Sequence, residues 1–174
     1  MKKPEWIVKE LKKIGLSKLK FNLEIVDGKI SSECDNDGDT NTISISKYVD
    51  SSIGKLARLV GGRPMDVKHS YRHELGHAFL YSIYDVTDHK RFLNTFGDAD
   101  EEYDDNGVYK CIILPHDDDY VSKYAQTHAE EDFAETFAEY METGGLVYEE
   151  DSKEVERKKK YIEHLIEKVW PVYS

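Results

Sequence analysis

The chain has 174 residues, and its 24 Lys and Arg against 35 Asp and Glu give a net charge of −11 at pH 7. No apolar run reaches the roughly 18 residues of a membrane-spanning helix, and the acidity argues against nucleic-acid binding, which needs clustered Lys and Arg. The length favours one domain over 1–174 that buries a core without disulfide help, and the two cysteines form no disulfide framework.

The N-terminal third combines a helical pattern with strand patterns. Helical spacing of apolar residues predicts an amphipathic helix over 4–16, and alternating apolar residues predict strands over 21–30 and 42–49. The stretch 35–39 is similar to a calcium loop, but Gly38 comes fourth where an EF-hand needs glycine sixth. We therefore interpret this stretch as a turn.

The rest of the chain is predicted to be mainly helical. Apolar spacing predicts helices over 51–60, 64–84, 129–142 and 152–169. Between them, the acidic stretches 98–105 and 117–119 are interpreted as solvated loops, which would favour basic substrates if they border an active site. The order of elements predicts an α+β fold with a small, mostly antiparallel sheet.

The segment His73-Glu74-Leu75-Gly76-His77 is an HExxH motif within the predicted helix 64–84. Residues four apart lie on one face of a helix, so both imidazoles can reach one metal ion. Zinc accepts neutral histidine nitrogen and keeps an open position when the protein supplies three ligands. Glu74 stands beside such an ion, where it can take a proton from the attacking water. A chance HExxH is the alternative unless a third ligand follows.

Three consecutive acids, Glu130, Glu131 and Asp132, lie near the start of the predicted helix 129–142, with Glu131 54 positions after His77 (131 − 77). Asp132 is predicted to project away from the apolar face and to be exposed. Glu131 and Glu135 share a face, so that one could bind the metal and the other could accept an N–H from a ligand histidine. Helical geometry does not exclude Glu130 as the ligand. The alternative is that all these acids stabilise the positive end of the helix.

These motifs resemble the gluzincin metallopeptidases, in which two histidines and a distant glutamate bind zinc. The spacing from Tyr124 to Glu131, with the Phe-Ala-Glu that follows, resembles the catalytic domain of anthrax lethal factor. A closer resemblance, over about 72–140, is to a group of bacterial zinc-binding metallopeptidases. It is carried by Arg72 to His77, Phe96-Gly97-Asp98, Val121 to Ala125, His128 and Glu131-Asp132.

One departure from that group falls just before the proposed third ligand. Proline and a bulky aromatic usually follow the histidine there, whereas Ala129 and Glu130 follow His128 here. Glu130 is therefore a rival carboxylate beside Glu131, although the shared order of acidic and aromatic residues favours Glu131.

The resemblance implies a zincin-like domain, with one Zn²⁺ per chain bound by His73, His77 and Glu131. It implies that Glu74 is the general base and then carries the proton to the leaving amine. It implies that Tyr124 stabilises the oxyanion and that Glu135 supports a ligand histidine. For His128, contact with substrate and capping of the helix are equally open.

We expect a zinc-dependent peptidase, most simply an endopeptidase, that acts on a peptide or protein substrate. The substrate would pair with an edge strand, for which Thr42 to Ser46 is the candidate, with an ordinary internal strand as the alternative. A catalytically silent zinc-binding regulatory or partner-binding module and a non-metal structural protein are the competing hypotheses. No apolar h-region follows Met1, which predicts a cytoplasmic location by default and leaves export without a leader, or a removed leader, open.

Overall fold

The structure is a computed structural model, and it describes residues 3–27, 32–37, 40–46, 67–96, 102–103, 109–110 and 117–173. The helix predicted over 51–60, the start of the helix predicted over 64–84, Cys111 and most of the acidic stretch 98–105 lie outside the described residues.

The N-terminal part consists of one helix and a small sheet. The sequence predicts the helix and two of the three strands, but the third strand, Glu33–Asn36, includes Asp35 and Asn36 of the stretch 35–39 that was interpreted as a turn. Helix α1 (Glu5–Lys13) buries Ile7 and Leu11, the two apolar positions that its spacing places on one face. The strands are β1 (Phe21–Val26), β2 (Glu33–Asn36) and β3 (Asn41–Ser46). Their order is β1-β3-β2, with β1 parallel and β2 antiparallel to β3. The α+β class is thus confirmed, and this sheet is mixed.

The prediction that Thr42 to Ser46 forms an edge strand is wrong. These residues lie in β3, which is the central strand of the described sheet. On one side β3 pairs with the whole of β1, and on the other its first four residues pair with β2. The alternation of apolar residues cannot reveal this order, because it shows which face of a strand is buried and not which strands pair along its two edges. Strand β2 is an edge strand of the described sheet, and it packs against the helix Val67–Ile83.

The second part of the chain is mainly helical. Its helices are α2 (Val67–Ile83), α3 (His89–Phe96), α4 (Ala129–Thr143), α5 (Lys153–His164) and α6 (Trp170–Tyr173). A π-helical stretch (Leu165–Val169) joins the last two, and shorter pieces are β4 (Glu102–Tyr103), β5 (Tyr109–Lys110) and the 3₁₀ turns Tyr84–Val86, Asp117–Asp119 and Ala125–Thr127. No helix in the described ranges is long and apolar enough to cross a membrane.

Helix α2 lies at the centre of the molecule and packs closely against α4. Residues 71–80 are all buried, and one continuous hydrophobic cluster extends from α1 to α6 around them. Gly76 permits the close approach of the two helices, because a Cβ there would lie 2.9 Å from the Cα of Ala134. A helix this deeply buried should not carry His73, Glu74 and His77 unless these side chains have partners.

Candidate metal centre

The histidines of the HExxH motif converge with one acid of α4. His73 Nε2 lies 3.1 Å from Glu131 Oε2, His77 Nε2 lies 3.5 Å from the same oxygen, and the two nitrogens are 3.2 Å apart. The sequence placed His73 and His77 on one face of a helix, and α4 supplies the third atom across the close packing at Gly76. We call these three residues the metal triad.

The metal triad has the shape of a zinc site. A tetrahedral zinc ion with ligands at about 2.0–2.1 Å requires ligand atoms separated by about 3.3 Å. The three observed separations of 3.1, 3.2 and 3.5 Å agree with this requirement. In addition, Glu131 Oε2 is buried and accepts no hydrogen bond of good geometry within the described part of the chain. Two imidazole nitrogens and one carboxylate oxygen are a donor set that zinc accepts and that leaves a fourth position open.

Glu135 orients the first histidine of the triad. Its Oε1 lies 2.8 Å from His73 Nδ1, so the Nδ1–H donates to the carboxylate and Nε2 is left to face the other triad atoms. This is the role that the sequence suggested for one of the two acids on this face of α4.

Two further residues contact Glu135, and sequence reasoning missed both. His69 Nε2 lies 3.0 Å from Oε1, and Ser122 Oγ donates to Oε2 at 2.6 Å. The signal for His69 was its position one helical turn before His73. Ser122 stood inside the stretch from Val121 to Ala125 that carried the family resemblance, but no role was assigned to it.

Glu74 is buried beside the triad. Burial raises the pKa of Glu74, the charges of His73 and His77 oppose this shift, and Glu131 and Asp35 add to it. A carboxylate with a raised pKa is better matched to take up and release a proton near neutral pH.

The charges of the triad are strongly coupled. Burial lowers the pKa of His73, but the carboxylates of Glu131 and Glu135 outweigh it and raise the value to about 10. Burial likewise raises the pKa of Glu131, while His73 and His77 outweigh it and lower the value to about 2. The carboxylates of Glu131 and Glu135, whose pKa values are both lowered, therefore stay ionised at neutral pH and favour a cation beside them.

Tyr124 lies over the metal triad at the surface. Its ring centroid is 5.7 Å from that of His73, and its hydroxyl lies near enough to Glu131 for the carboxylate to raise its pKa. Burial raises its pKa to about 12, with Glu131 adding to the shift, so the hydroxyl keeps its proton and can donate.

His128 is the N-cap of α4. Its Nδ1 accepts a hydrogen bond from the backbone N–H of Glu130 at 3.2 Å. Of the two roles left open for His128, capping of the helix is therefore the one seen in the structure. Contact of His128 with a substrate stays a prediction.

The two other acids at the start of α4 lie away from the triad. Glu130 Oε2 is 3.5 Å from the hydroxyl of Tyr81, and Glu130 does not belong to the metal triad. The expectation that Asp132 is exposed is wrong, because α5 covers that face of α4. Asp132 is fully buried and forms an ion pair with Lys158 at 2.7 Å.

A protein-family model described as "Putative zinc-binding metallo-peptidase" matches residues 67–172, a range that includes every residue of the metal triad. Curated relatives include the uncharacterized proteins Mb2598c of Mycobacterium bovis and Rv2568c of Mycobacterium tuberculosis. Each is 41% identical to this chain over 76 residues, which are 41% of this chain and 22% of the relative. The aligned segment thus covers about a fifth of each relative's length. No solved structure matches the chain.

Proposed function

The chain belongs to the zinc-binding metallopeptidase family, and from this premise we propose that it is a zinc-dependent endopeptidase of the gluzincin type. The observation that carries the proposal is the convergence of His73, His77 and Glu131 within 3.5 Å of one another, with a buried Glu74 on the same helix. His73, His77 and Glu131 would bind one zinc ion per chain.

Zinc bound there would polarise the scissile carbonyl and lower the pKa of a water molecule towards 7. Glu74 takes the proton from the attacking water and then delivers it to the leaving amine. The raised pKa of Glu74 supports this role, because the same group must first accept and then donate a proton.

Tyr124 is the proposed oxyanion donor. Its hydroxyl lies near Glu131, which raises its pKa, and Tyr124 is 48% exposed, so a substrate can reach it. We propose that the hydroxyl donates a hydrogen bond to the carbonyl oxygen as negative charge develops on it. The spacing from Tyr124 to Glu131, which resembles that in the lethal factor catalytic domain, supports this assignment.

The substrate is proposed to bind as an extended peptide along β2. This strand is the edge of the described sheet nearest the HExxH helix, since it packs against α2 and Glu74 interacts electrostatically with Cys34 and Asp35. Pairing with an edge strand satisfies a peptide backbone without selecting its side chains, so we propose β2 in place of Thr42 to Ser46.

The experiment that tests this function is peptide-library cleavage by zinc-loaded protein and by Glu74→Gln. The amide cannot act as a base, so we expect cleavage to fall about 10²–10⁴-fold with zinc retained. Glu150→Gln, at an exposed position, is the matched control and should cleave at the wild-type rate.

Two outcomes would overturn the proposal in different ways. If Glu74→Gln cleaves as fast as the wild type, the assigned mechanism is wrong. If zinc-loaded wild-type protein cleaves nothing in diverse libraries, the alternative of a catalytically silent zinc-binding module is the better account.

A further inference from the structure

Ser122 joins two parts of the site that are otherwise separate. Its Oγ donates to Glu135 Oε2 at 2.6 Å and accepts the backbone N–H of Ala125 at 3.1 Å. The first bond reaches α4, and the second closes the turn that contains Tyr124. One hydroxyl therefore connects the carboxylate that orients His73 to the segment that carries Tyr124.

The carboxylate of Glu135 is fixed on both of its oxygens. Oε1 lies within 3.0 Å of one nitrogen of His69 and one of His73, and Oε2 accepts from Ser122. Glu135 is fully buried, so these contacts, and not water, determine how the carboxylate is turned. Loss of the hydroxyl of Ser122 would free one oxygen and let the carboxylate rotate away from His73.

Tyr124 depends on its backbone for its position. Because its side chain is 48% exposed, packing alone cannot hold the ring beside His73. Its carbonyl accepts from the backbone N–H and the hydroxyl of Thr127, and Ser122 closes the same turn from the other side.

We propose that Ser122 is a positioning residue that couples Tyr124 to His73. Through Glu135 it holds His73 in the orientation that binds the metal, and through Ala125 it sets the place of the Tyr124 hydroxyl. The kinetic part of this inference rests on the proposed peptidase function, whereas the metal-affinity part does not.

The first test measures metal affinity by competition with a chromophoric chelator. We expect Ser122→Ala to bind zinc about 10-fold more weakly, as removal of a group that supports a ligand does. The absorption bands of the Co²⁺-loaded variant should shift as well, since they report ligand geometry. Ser122→Thr keeps the hydroxyl and should restore both values. Ser152→Ala is the matched control, because Ser152 makes a similar hydroxyl contact to a backbone N–H at the start of α5, remote from the triad.

The second test is a double-mutant cycle with Tyr124→Phe. At saturating zinc we expect Ser122→Ala to lower kcat about 10-fold, with a smaller change in KM, and to lower it much less when Tyr124 is already Phe. A serine that only stabilises the fold would lower kcat by the same factor in both backgrounds.

The inference fails if Ser122→Ala, folded by circular dichroism, keeps wild-type zinc affinity and an unchanged Co²⁺ spectrum. It also fails if the double variant loses kcat by the product of the two single-variant factors, because Ser122 and Tyr124 then act independently. If the wild type shows no peptidase activity, the proposed function is wrong, and the affinity measurement still decides whether Ser122 supports His73.

Discussion

Helix α4 buries charged residues on two neighbouring faces, and the two faces differ in how the charge is compensated. On the α5 side, Lys158 lies 2.7 Å from Asp132, and Lys159 lies 2.9 Å from Glu139 and 2.7 Å from Asp151. Each buried ammonium group there meets a carboxylate. We call this face the ion-pair face.

On the α2 side, three carboxylates, those of Glu74, Glu131 and Glu135, face histidines, and the proton that they hold on His73, whose pKa is raised to about 10, offsets only part of their charge. This face therefore carries an excess of negative charge that a divalent cation would balance. The comparison teaches that burial of charge does not by itself indicate function. A compensated cluster supports the fold, whereas an uncompensated cluster with metal-ligand geometry indicates a binding site.

The largest effect on stability is expected on the ion-pair face. Asp132→Asn would leave the buried ammonium of Lys158 without its counter-charge, which costs about 3–5 kcal/mol in the free energy of unfolding. Urea denaturation of the metal-free protein measures this loss. Zinc affinity of the folded variant should stay close to that of the wild type, and a large drop in affinity with unchanged stability would contradict the comparison.

The neighbouring residue should behave in the opposite way. Glu131→Gln makes the same chemical change one position earlier, but it alters the proposed third metal ligand instead of a salt-bridge partner. We expect zinc affinity to fall by more than about 100-fold, beyond the usual effect of residues that only support a ligand. The metal-free variant should lose some stability at neutral pH, because His73 and His77 stabilise the ionised carboxylate and hold its pKa at about 2. The loss should be smaller than that of Asp132→Asn, because the Glu131 side chain is 24% exposed. If the variant binds zinc normally, Glu131 is not the ligand, and Glu130 becomes the first candidate.

How far the sequence could predict this site depends on which contacts are local. His73, Glu74 and His77 follow from the geometry of one helix, and Glu131 follows from the resemblance to known metallopeptidases. Asp132 was misjudged because helical periodicity shows the direction of a side chain, and not that α5 would cover it with Lys158.

The fold shows the same limit. The α+β class and the helices α1, α2, α4 and α5 follow from apolar spacing in the chain, whereas the short helix α3 was not predicted. The central position of β3 does not, because the apolar pattern within a strand does not show on which sides β1 and β2 will pair with it. His69 and Ser122 were overlooked for a related reason, since their common partner Glu135 lies on another helix.

A smaller effect is expected at the contact that brings the two ligand-bearing helices together. In Gly76→Ala the new Cβ would lie 2.9 Å from the Cα of Ala134, so α2 and α4 must move apart. Overpacking of this kind costs about 1–3 kcal/mol. The same movement separates His73 and His77 from Glu131, so zinc affinity should fall together with the melting temperature. Ala78→Gly, which removes a methyl group from the same helix, should lower stability with much less effect on zinc affinity.

The smallest effect is expected at the acidic turn Asp117–Asp119. If this turn borders the substrate path, replacement of Asp117, Asp118 and Asp119 by Asn should selectively slow the cleavage of peptides rich in Lys and Arg. A single surface charge contributes less than about 1 kcal/mol, so a several-fold change in preference is the most to expect. An unchanged preference in competition between basic and neutral peptides would remove these residues from substrate selection.

The central claim is that the uncompensated face of α4 binds a metal between His73, His77 and Glu131. The most direct measurement is a crystal structure of the zinc-loaded protein with anomalous data at the zinc edge. We predict one strong peak per chain, about 2.0–2.2 Å from Nε2 of both histidines and from a carboxylate oxygen of Glu131. A zinc peak on other residues, or none at this position in zinc-saturated protein, would contradict it.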